Sequence, residues 1–233
     1  MVQLLDVKRR EIKYRISLAT ALRAQNFLKQ VLPADPYNGI HGYMVRSLYF
    51  DSIYHDDLED KLDGIEDRRK IRLRIYSPTD QTVKLELKSK NGEWQQKQSL
   101  RLSKSQALRL IACDYEVLKE VPHSLAEQLF VTMSREAYQP QVIVQYNRYA
   151  FMLDTNDIRV TFDQHLVATE SSLDLFGEGL NFYPVGYSDD VTLEIKYNHF
   201  LLSYVRDLLD QIDKSSLSYS KYVMSRYISH QPE

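Results

Sequence analysis

Cysteine is almost absent from this chain: Cys113 is the only one in 233 residues. No disulfide can therefore close within it, and a four-thiolate zinc site is excluded. Glycine and proline are scarce, at seven residues each. Neither gathers into a stretch that reads as a linker, so a single domain over residues 1–233 is expected. Long apolar runs are missing as well. No stretch of eighteen apolar residues could cross a bilayer, and the opening MVQLLDVKRR has no apolar core of the kind a secretion signal needs. A cytoplasmic protein that does not insert into membranes is the expectation. An excess of one charge is the last absence: 30 Lys and Arg stand against 32 Asp and Glu, for a net charge of −2. That balance excludes bulk attraction to nucleic acid, and a basic site can arise only where the fold sorts charges apart.

What the chain has in quantity is alternation. In RRKIRLRIY, residues 68–76, Lys70, Arg72 and Arg74 fall on one side of an extended strand and Ile71, Leu73 and Ile75 on the other. TVKLELKSK repeats the habit, with Lys84, Glu86, Lys88 and Lys90 against Val83, Leu85 and Leu87. An Asn-Gly turn leads on to WQQKQSLRL, which carries Lys97. Near the start, RREIKYRI puts Arg9, Glu11, Lys13 and Arg15 on one face, and MVRSLYFDS follows as a further strand. In the second half QVIVQYNRYAF, DIRVTFDQ and DVTLEIKY place Tyr146 with Arg148, Arg159 with Thr161, and Glu194 with Lys196. A lone strand of this kind is a solvated sheet face. Several with the same bias need another account.

Helical spacing fills the gaps. Ser17 or Thr20 caps a helix whose stripe is Leu22, Phe27, Leu28 and Val31, and Pro33 ends it. Ser103 opens another through KSQALRLIAC, and a longer one runs through SLAEQLFVTMSREAY. HFLLSYVRDLLDQI and SLSYSKYVMSRYI close the chain as two more. The acidic stretch from Asp51 to Gly64 lacks calcium-loop spacing and reads as a solvated loop or helix. The class is α+β with a mostly antiparallel sheet.

On the collected polar faces Arg9, Lys13, Arg15, Lys70, Arg72, Arg74, Lys84, Lys88, Lys90, Lys97, Arg148, Arg159 and Lys196 stand against Glu11, Asp51, Glu86, Asp163 and Glu194. Cations predominate there, although a merely solvated sheet favours opposite charges across strands. The architecture expected is a β-barrel turned inside out: polar and basic residues line a tunnel, and α-helices packed outside cover the apolar faces. Crowded like charges repel in an empty tunnel, and a threaded oligophosphate or nucleotide triphosphate relieves them.

These segments resemble a known family. EIKY, VRSLYFD, RKIRLRIY, LELKSK, VQYNRYAF, IRVTFD, LEIKY and SYSKYVMSRY follow the order of the catalytic domain of the vacuolar transporter chaperone family. Those are polyphosphate polymerases within the wider group of triphosphate tunnel metalloenzymes. The resemblance runs from Arg9 to Arg226. It implies that Arg72, Arg74, Lys88, Arg148 and Arg159 clamp phosphates during catalysis. Lys13, Lys97, Tyr146, Lys196, Ser220 and Lys221 would complete the phosphate contacts, and Glu194 would hold Mn²⁺ or Mg²⁺. Glu11 either joins it on the metal or holds the basic cluster together. Hydrolytic members of the wider group begin Glu-x-Glu-x-Lys, whereas this chain has Arg9-x-Glu11-x-Lys13. A cation in place of one metal-holding carboxylate favours the polymerase branch over a two-metal hydrolase. The implied activity is transfer of the γ-phosphoryl group of ATP to a growing polyphosphate chain. Hydrolysis of inorganic or nucleoside triphosphates in the same tunnel, and non-catalytic binding of polyphosphate or nucleotides, are the alternatives.

Overall fold

The structure, a computed structural model, describes residues 9–92, 94–187, 189–212, 215–216 and 220–226. Its elements run β1 (Arg9–Ser17), α1 (Leu18–Val31), β2 (Tyr43–Asp51), α2 (Asp56–Leu62), β3 (Arg68–Ile75), β4 (Thr82–Asn91), β5 (Trp94–Ser103), α3 (Lys104–Ile111) and α4 (Ser124–Arg135). Then follow β6 (Gln139–Leu153), β7 (Ile158–Thr169), β8 (Tyr183–Pro184), β9 (Asp190–Asn198), α5 (Ser203–Asp210), β10 (Ser215–Ser216) and α6 (Lys221–Arg226). The sheet order is β10-β1-β9-β7-β6-β2-β3-β4-β5, with β8 on β7. The pairings β1–β9, β2–β3, β3–β4, β4–β5 and β7–β9 are antiparallel. The chain is thus α+β with a mostly antiparallel sheet. No helix among the described residues is long and apolar enough to cross a membrane.

Two compact units can be distinguished. The first comprises Met1–Met44, Tyr146–Leu166 and Pro184–Ser220; the second comprises Val45–Gln145, Val167–Tyr183 and Lys221–Glu233. Each has its own core.

In the second unit Ile71, Leu73 and Ile75 of β3, Val83, Leu85 and Leu87 of β4, and Leu100 and Leu102 of β5 form one buried apolar surface. Helices α3 and α4 cover it with Ala107, Leu110, Leu125, Ala126, Leu129 and Met133. Truncating Leu85 to Ala would cost about 2–5 kcal/mol, from lost transfer energy and the cavity left behind. Because strand side chains alternate, this commitment sends Lys70, Arg72, Arg74, Glu86, Lys88 and Lys97 to the opposite face. Ser103 starts α3 as expected, through a reciprocal cap: its Oγ accepts from the Gln106 N–H and the Gln106 side chain accepts from the Ser103 N–H.

In the first unit Ile16, Val160, Phe162, Val191, Leu193 and Ile195 pack with Ala21, Ala24 and Leu28 of α1 and Val205, Leu208 and Leu209 of α5. Ser17 caps α1, accepting from the Thr20 N–H at 3.2 Å. The stripe expected on α1 is corrected by the structure. Leu22, Phe27 and Val31 are exposed, and the helix packs through Ala21, Ala24 and Leu28 with Thr20 and Gln25. Small side chains bring a helix close to a sheet, and a spacing rule weighted toward large residues passes over them.

Three further differences concern the loops and the C-terminal region. The acidic stretch does contain a helix, α2, but it is not merely solvated: Asp51 and Asp57 are buried. Helix α5 begins at Ser203, beyond His199, whose φ of 56° breaks any earlier start. Of the last expected helix, Lys221–Arg226 is helical, and residues 217–219 and 227–228 lie outside the described ones.

Candidate functional site

Glu86 is the centre of the charged face of the second unit. It is buried, and the β3–β4 register sets it directly opposite Arg72. Its Oε2 accepts from Arg72 Nε at 2.7 Å and lies 3.6 Å from Arg74 Nη1, while Lys97 Nζ closes on Oε1. Arg72 also donates to the Tyr49 hydroxyl at 2.9 Å and lays its guanidinium 5.6 Å from the Tyr49 ring centroid. Arg74 donates to Ser47 Oγ at 3.1 Å.

Three cations thus share one buried carboxylate. Burial alone would raise the pKa of Glu86, but Arg72, Arg74 and Lys97 hold it well below the usual carboxylate range. Lys97 is instead lowered to about 8, because burial and the neighbouring guanidiniums outweigh the pull of Glu86. Its side chain is nevertheless 51% exposed, so solvent screens the ion pair and little stability comes from it. Burial also pushes Tyr49 up, and Arg72, Arg74 and Lys221 together bring it below its ordinary value. Lys88 stands in register between Lys70 and Lys97. Like charges directly opposed across strands destabilise a sheet, and an anion laid over them reverses the sign.

In the first unit the charges are matched. Glu194 is buried, with Lys196 Nζ at 3.3 Å, Lys13 Nζ at 3.5 Å and Arg148 Nη2 at 3.7 Å. Glu11 lies 2.6 Å from Lys13 and 3.6 Å from Lys196. Arg148 forks onto Asp163 at 2.7 and 2.8 Å and approaches the Tyr146 hydroxyl at 3.4 Å. Arg159 lies 3.3 Å from Asp35 and donates to the Tyr43 hydroxyl at 3.0 Å. Burial works to raise the pKa of Glu194, but Lys196, Lys13, a hydrogen bond with Glu11 and Arg148 keep it well below the ordinary range. It is therefore ionised, as a metal ligand must be.

The repulsion expected among the collected cations is met in this unit by carboxylates. Lys13, Lys196, Arg148 and Arg159 face Glu11, Glu194, Asp163 and Asp35. Excess positive charge gathers around Glu86 instead. Close backbone packing fixes Arg148: a Cβ on Gly42, whose φ is 85°, would meet the Arg148 carbonyl oxygen at 2.2 Å. Only glycine allows that approach.

Glu11 and Glu194 are the oxygen ligands on offer to a divalent cation. Among the described residues no group of three His, Cys, Asp or Glu could cage a metal. Two carboxylates, with phosphate oxygens and water filling the other positions, are the usual protein share of a Mg²⁺ site. Thr161 adds a buried hydroxyl without a partner, on the residue opposite Glu194 in the β7–β9 register. The donor set fits a hard divalent ion. Lys13 and Lys196, with side chains 26% and 33% exposed, are long and mobile enough to turn from carboxylate to phosphate. Arg9 faces Asn198 across β1–β9, so neither residue of that pair supplies a further carboxylate; the Arg9 side chain lies outside the described ones.

The residues expected at the site fall into two groups. Arg72, Arg74 and Lys97 meet on Glu86, with Lys88 in the adjoining row and Lys221 acting on Tyr49. Lys13, Lys196, Glu11, Glu194, Arg148 and Tyr146 meet in the first unit, and Arg159 is tied to Asp35. Ser220 directly precedes α6. Tyr49, Ser47, Tyr43 and Asp35 were not singled out from the sequence. Tyr49 had a signal, since it shares strand parity with Ser47 and Asp51; Asp35 lies in a loop and had none.

The class is an α+β fold whose antiparallel sheet carries lysine, arginine and carboxylate on its polar faces and helices over its apolar ones. The VTC domain matches residues 8–230, and the chain belongs to that family. No curated protein matches. Among solved structures, a candidate adenylyl cyclase from Hippeastrum, described as having a dominant triphosphatase activity, matches with a TM-score of 0.56 at 13% identity. That match covers 93% of this chain and 94% of the other. A candidate adenylate cyclase from Vibrio parahaemolyticus matches with a TM-score of 0.51 at 13% identity, over 93% and 97% of the two chains. A chain of the Schizosaccharomyces pombe Mediator head module matches with a TM-score of 0.50 at 11% identity, over 90% and 99%. At these identities the likeness shows the fold alone, and the fold is shared by proteins of unlike description.

Proposed function

We propose that this chain is a polyphosphate polymerase, transferring the γ-phosphoryl group of ATP to the end of a polyphosphate chain. The reading rests on one observation: Arg72, Arg74 and Lys97 share the single buried carboxylate of Glu86. Cations in excess at a partly desolvated site are what a run of phosphates requires. Arg72, Arg74, Lys88, Arg148 and Arg159 act as clamps on the reacting phosphates. Lys13, Lys97, Tyr146, Lys196, Ser220 and Lys221 hold the remainder of ATP and polyphosphate. Glu194, with Glu11, holds Mn²⁺ or Mg²⁺, which when bound neutralises charge on the phosphate oxygens.

In the transfer, an oxygen of the acceptor's terminal phosphate forms a bond to the γ-phosphorus. The bond to the β–γ bridging oxygen breaks, and ADP leaves. The attacking oxygen is already anionic, so no general base is assigned, and the residues act by positioning and charge neutralisation. A single catalytic domain is part of this proposal: each unit is built from three separated chain segments, and the family match runs through all of them. So is a cytoplasmic setting, in keeping with the free Cys113 thiol.

Triphosphate hydrolysis is the second reading, favoured by the fold shared with the Hippeastrum protein of described triphosphatase activity. Incubating the purified protein with ATP and Mn²⁺ and resolving the products on a gel separates the two. Long-chain polyphosphate with ADP supports the polymerase. Orthophosphate without polymer overturns it in favour of hydrolysis, and tight triphosphate binding with no product makes the chain a binding protein.

A further inference from the structure

Among the described residues helix α6 spans Lys221–Arg226, and a helix of marginal length is held by tertiary contacts. Tyr222 supplies several of them. That side chain is 1% exposed, its hydroxyl donates to Asp51 Oδ2, and its ring stacks on Tyr49 with centroids 5.1 Å apart and planes 24° from parallel. Asp51 is fully buried and engaged on both oxygens. Oδ1 accepts the backbone N–H groups of Ser52 and Asp57 at 2.8 and 2.9 Å, and Oδ2 accepts that of Leu58 at 3.1 Å. These bonds tie the carboxylate to the end of β2 and the start of α2, making it a rigid acceptor. Burial and the nearby Asp51 push the Tyr222 phenol far up, so it stays a neutral donor. On its other side the stacked Tyr49 receives Arg72 at 2.9 Å and lies in the fields of Arg74 and Lys221.

We infer that Tyr222 is a positioning residue: bonded to Asp51 and stacked on Tyr49, it holds Lys221, its neighbour in the chain, in place to bind phosphate together with Arg72. This rests on the phosphate-binding reading above. The consequence for chemistry is one of register. Lys221 begins α6, and a lysine there keeps a fixed place only if the helix is held. Arg226, 3.2 Å from Gln141 and 3.0 Å from Glu170, secures the other end of α6.

The test is a double-mutant cycle read by calorimetric titration of inorganic triphosphate. Tyr222→Phe keeps the ring and removes only the hydroxyl. It should weaken binding roughly three- to tenfold, the scale of one hydrogen bond. In a Lys221→Ala background that loss should vanish, because the hydroxyl acts through Lys221. If Tyr222→Phe does not fold, Tyr49→Leu removes the stack from the other side; because Tyr49 also meets Arg72, its loss should shrink in the Lys221→Ala background without vanishing. Losses that add independently, or triphosphate affinity unchanged by either variant, would overturn the inference while leaving the phosphate reading intact. Failure of the wild-type protein to bind triphosphate would overturn both.

Discussion

Glu86 and Lys97 attract one another, and both nevertheless titrate below their usual ranges. The cause is the company each keeps. Glu86 answers to three cations, while Lys97 has one carboxylate, two guanidiniums and a partly dry setting. A bound phosphate would supply the negative charge that Lys97 is short of.

Triphosphate binding should therefore take up protons near pH 8. Lys97 has a pKa of about 8 in the free protein, and an adjacent phosphate raises it, so at pH 8 roughly half a proton is gained on binding. Affinity should fall as pH rises through and above that value. Calorimetry in buffers of differing ionisation enthalpy measures the uptake. Lys97→Arg should lose the protein's share and retain only the ligand's own, and equal uptake in both proteins would refute the assignment.

Glu86→Gln keeps the side chain's shape and removes its charge. Arg72, Arg74 and Lys97 then repel without a counter-ion, and the ligand-free protein should lose roughly 3 kcal/mol, the scale of a broken buried pair. Triphosphate should restore more of the melting temperature in this variant than in the wild type. Thermal melts with and without inorganic triphosphate decide the matter, and a smaller ligand-induced rise in the variant counts against the cation-excess reading.

Replacing Glu194 with Gln separates metal from phosphate. The amide is nearly isosteric and a poorer ligand for a hard cation, so metal-dependent turnover should disappear while triphosphate affinity measured without metal changes by less than about threefold. Turnover at the wild-type rate would reassign Glu194 to structural ion pairing with Lys13 and Lys196.

Asp57 carries a stability signature of its own. Burial and the neighbouring Asp51 raise its pKa to about 7 despite Arg69 and Tyr138. The folded state therefore binds a proton more tightly than the unfolded chain, and stability contributed by the protonated acid is lost as pH rises from about 4 to about 7, by up to about 4 kcal/mol. Urea unfolding of wild type and Asp57→Asn at pH 5 and pH 8 tests the sign. The variant should gain on the wild type at the higher pH, and a pH-independent difference would contradict the raised pKa.

Strands β3, β4 and β5 were legible because one face of each is committed to helices α3 and α4, and burial on one side is what makes alternation visible. Along β2 that contrast is lost: Val45 to Asp51 are all buried, so the parity that places Tyr49 beside Arg72 is muted. Helix α1 was misread for a related reason, its packing face being made of Ala21 and Ala24. Counter-ions were the hardest to see. Alternation tells which face a lysine occupies, not which carboxylate arrives from a loop such as that of Asp35 or from another strand, as Asp163 does for Arg148.

The threading of the two units also sets an order of events during synthesis. Residues 45–145 lie wholly in the second unit and emerge together, whereas the first unit is completed only by Pro184–Ser220 and the second only by Lys221–Glu233. Strand β1 pairs with β9 and β10, so it leaves the ribosome roughly 180 residues ahead of its principal partner. A nascent chain released near residue 185 would hold Arg72, Arg74, Glu86 and Lys97, and would lack Glu194. Without β9 the sheet of such a fragment ends at β7 and β1 is left without a partner, and these are the strands along which it would aggregate.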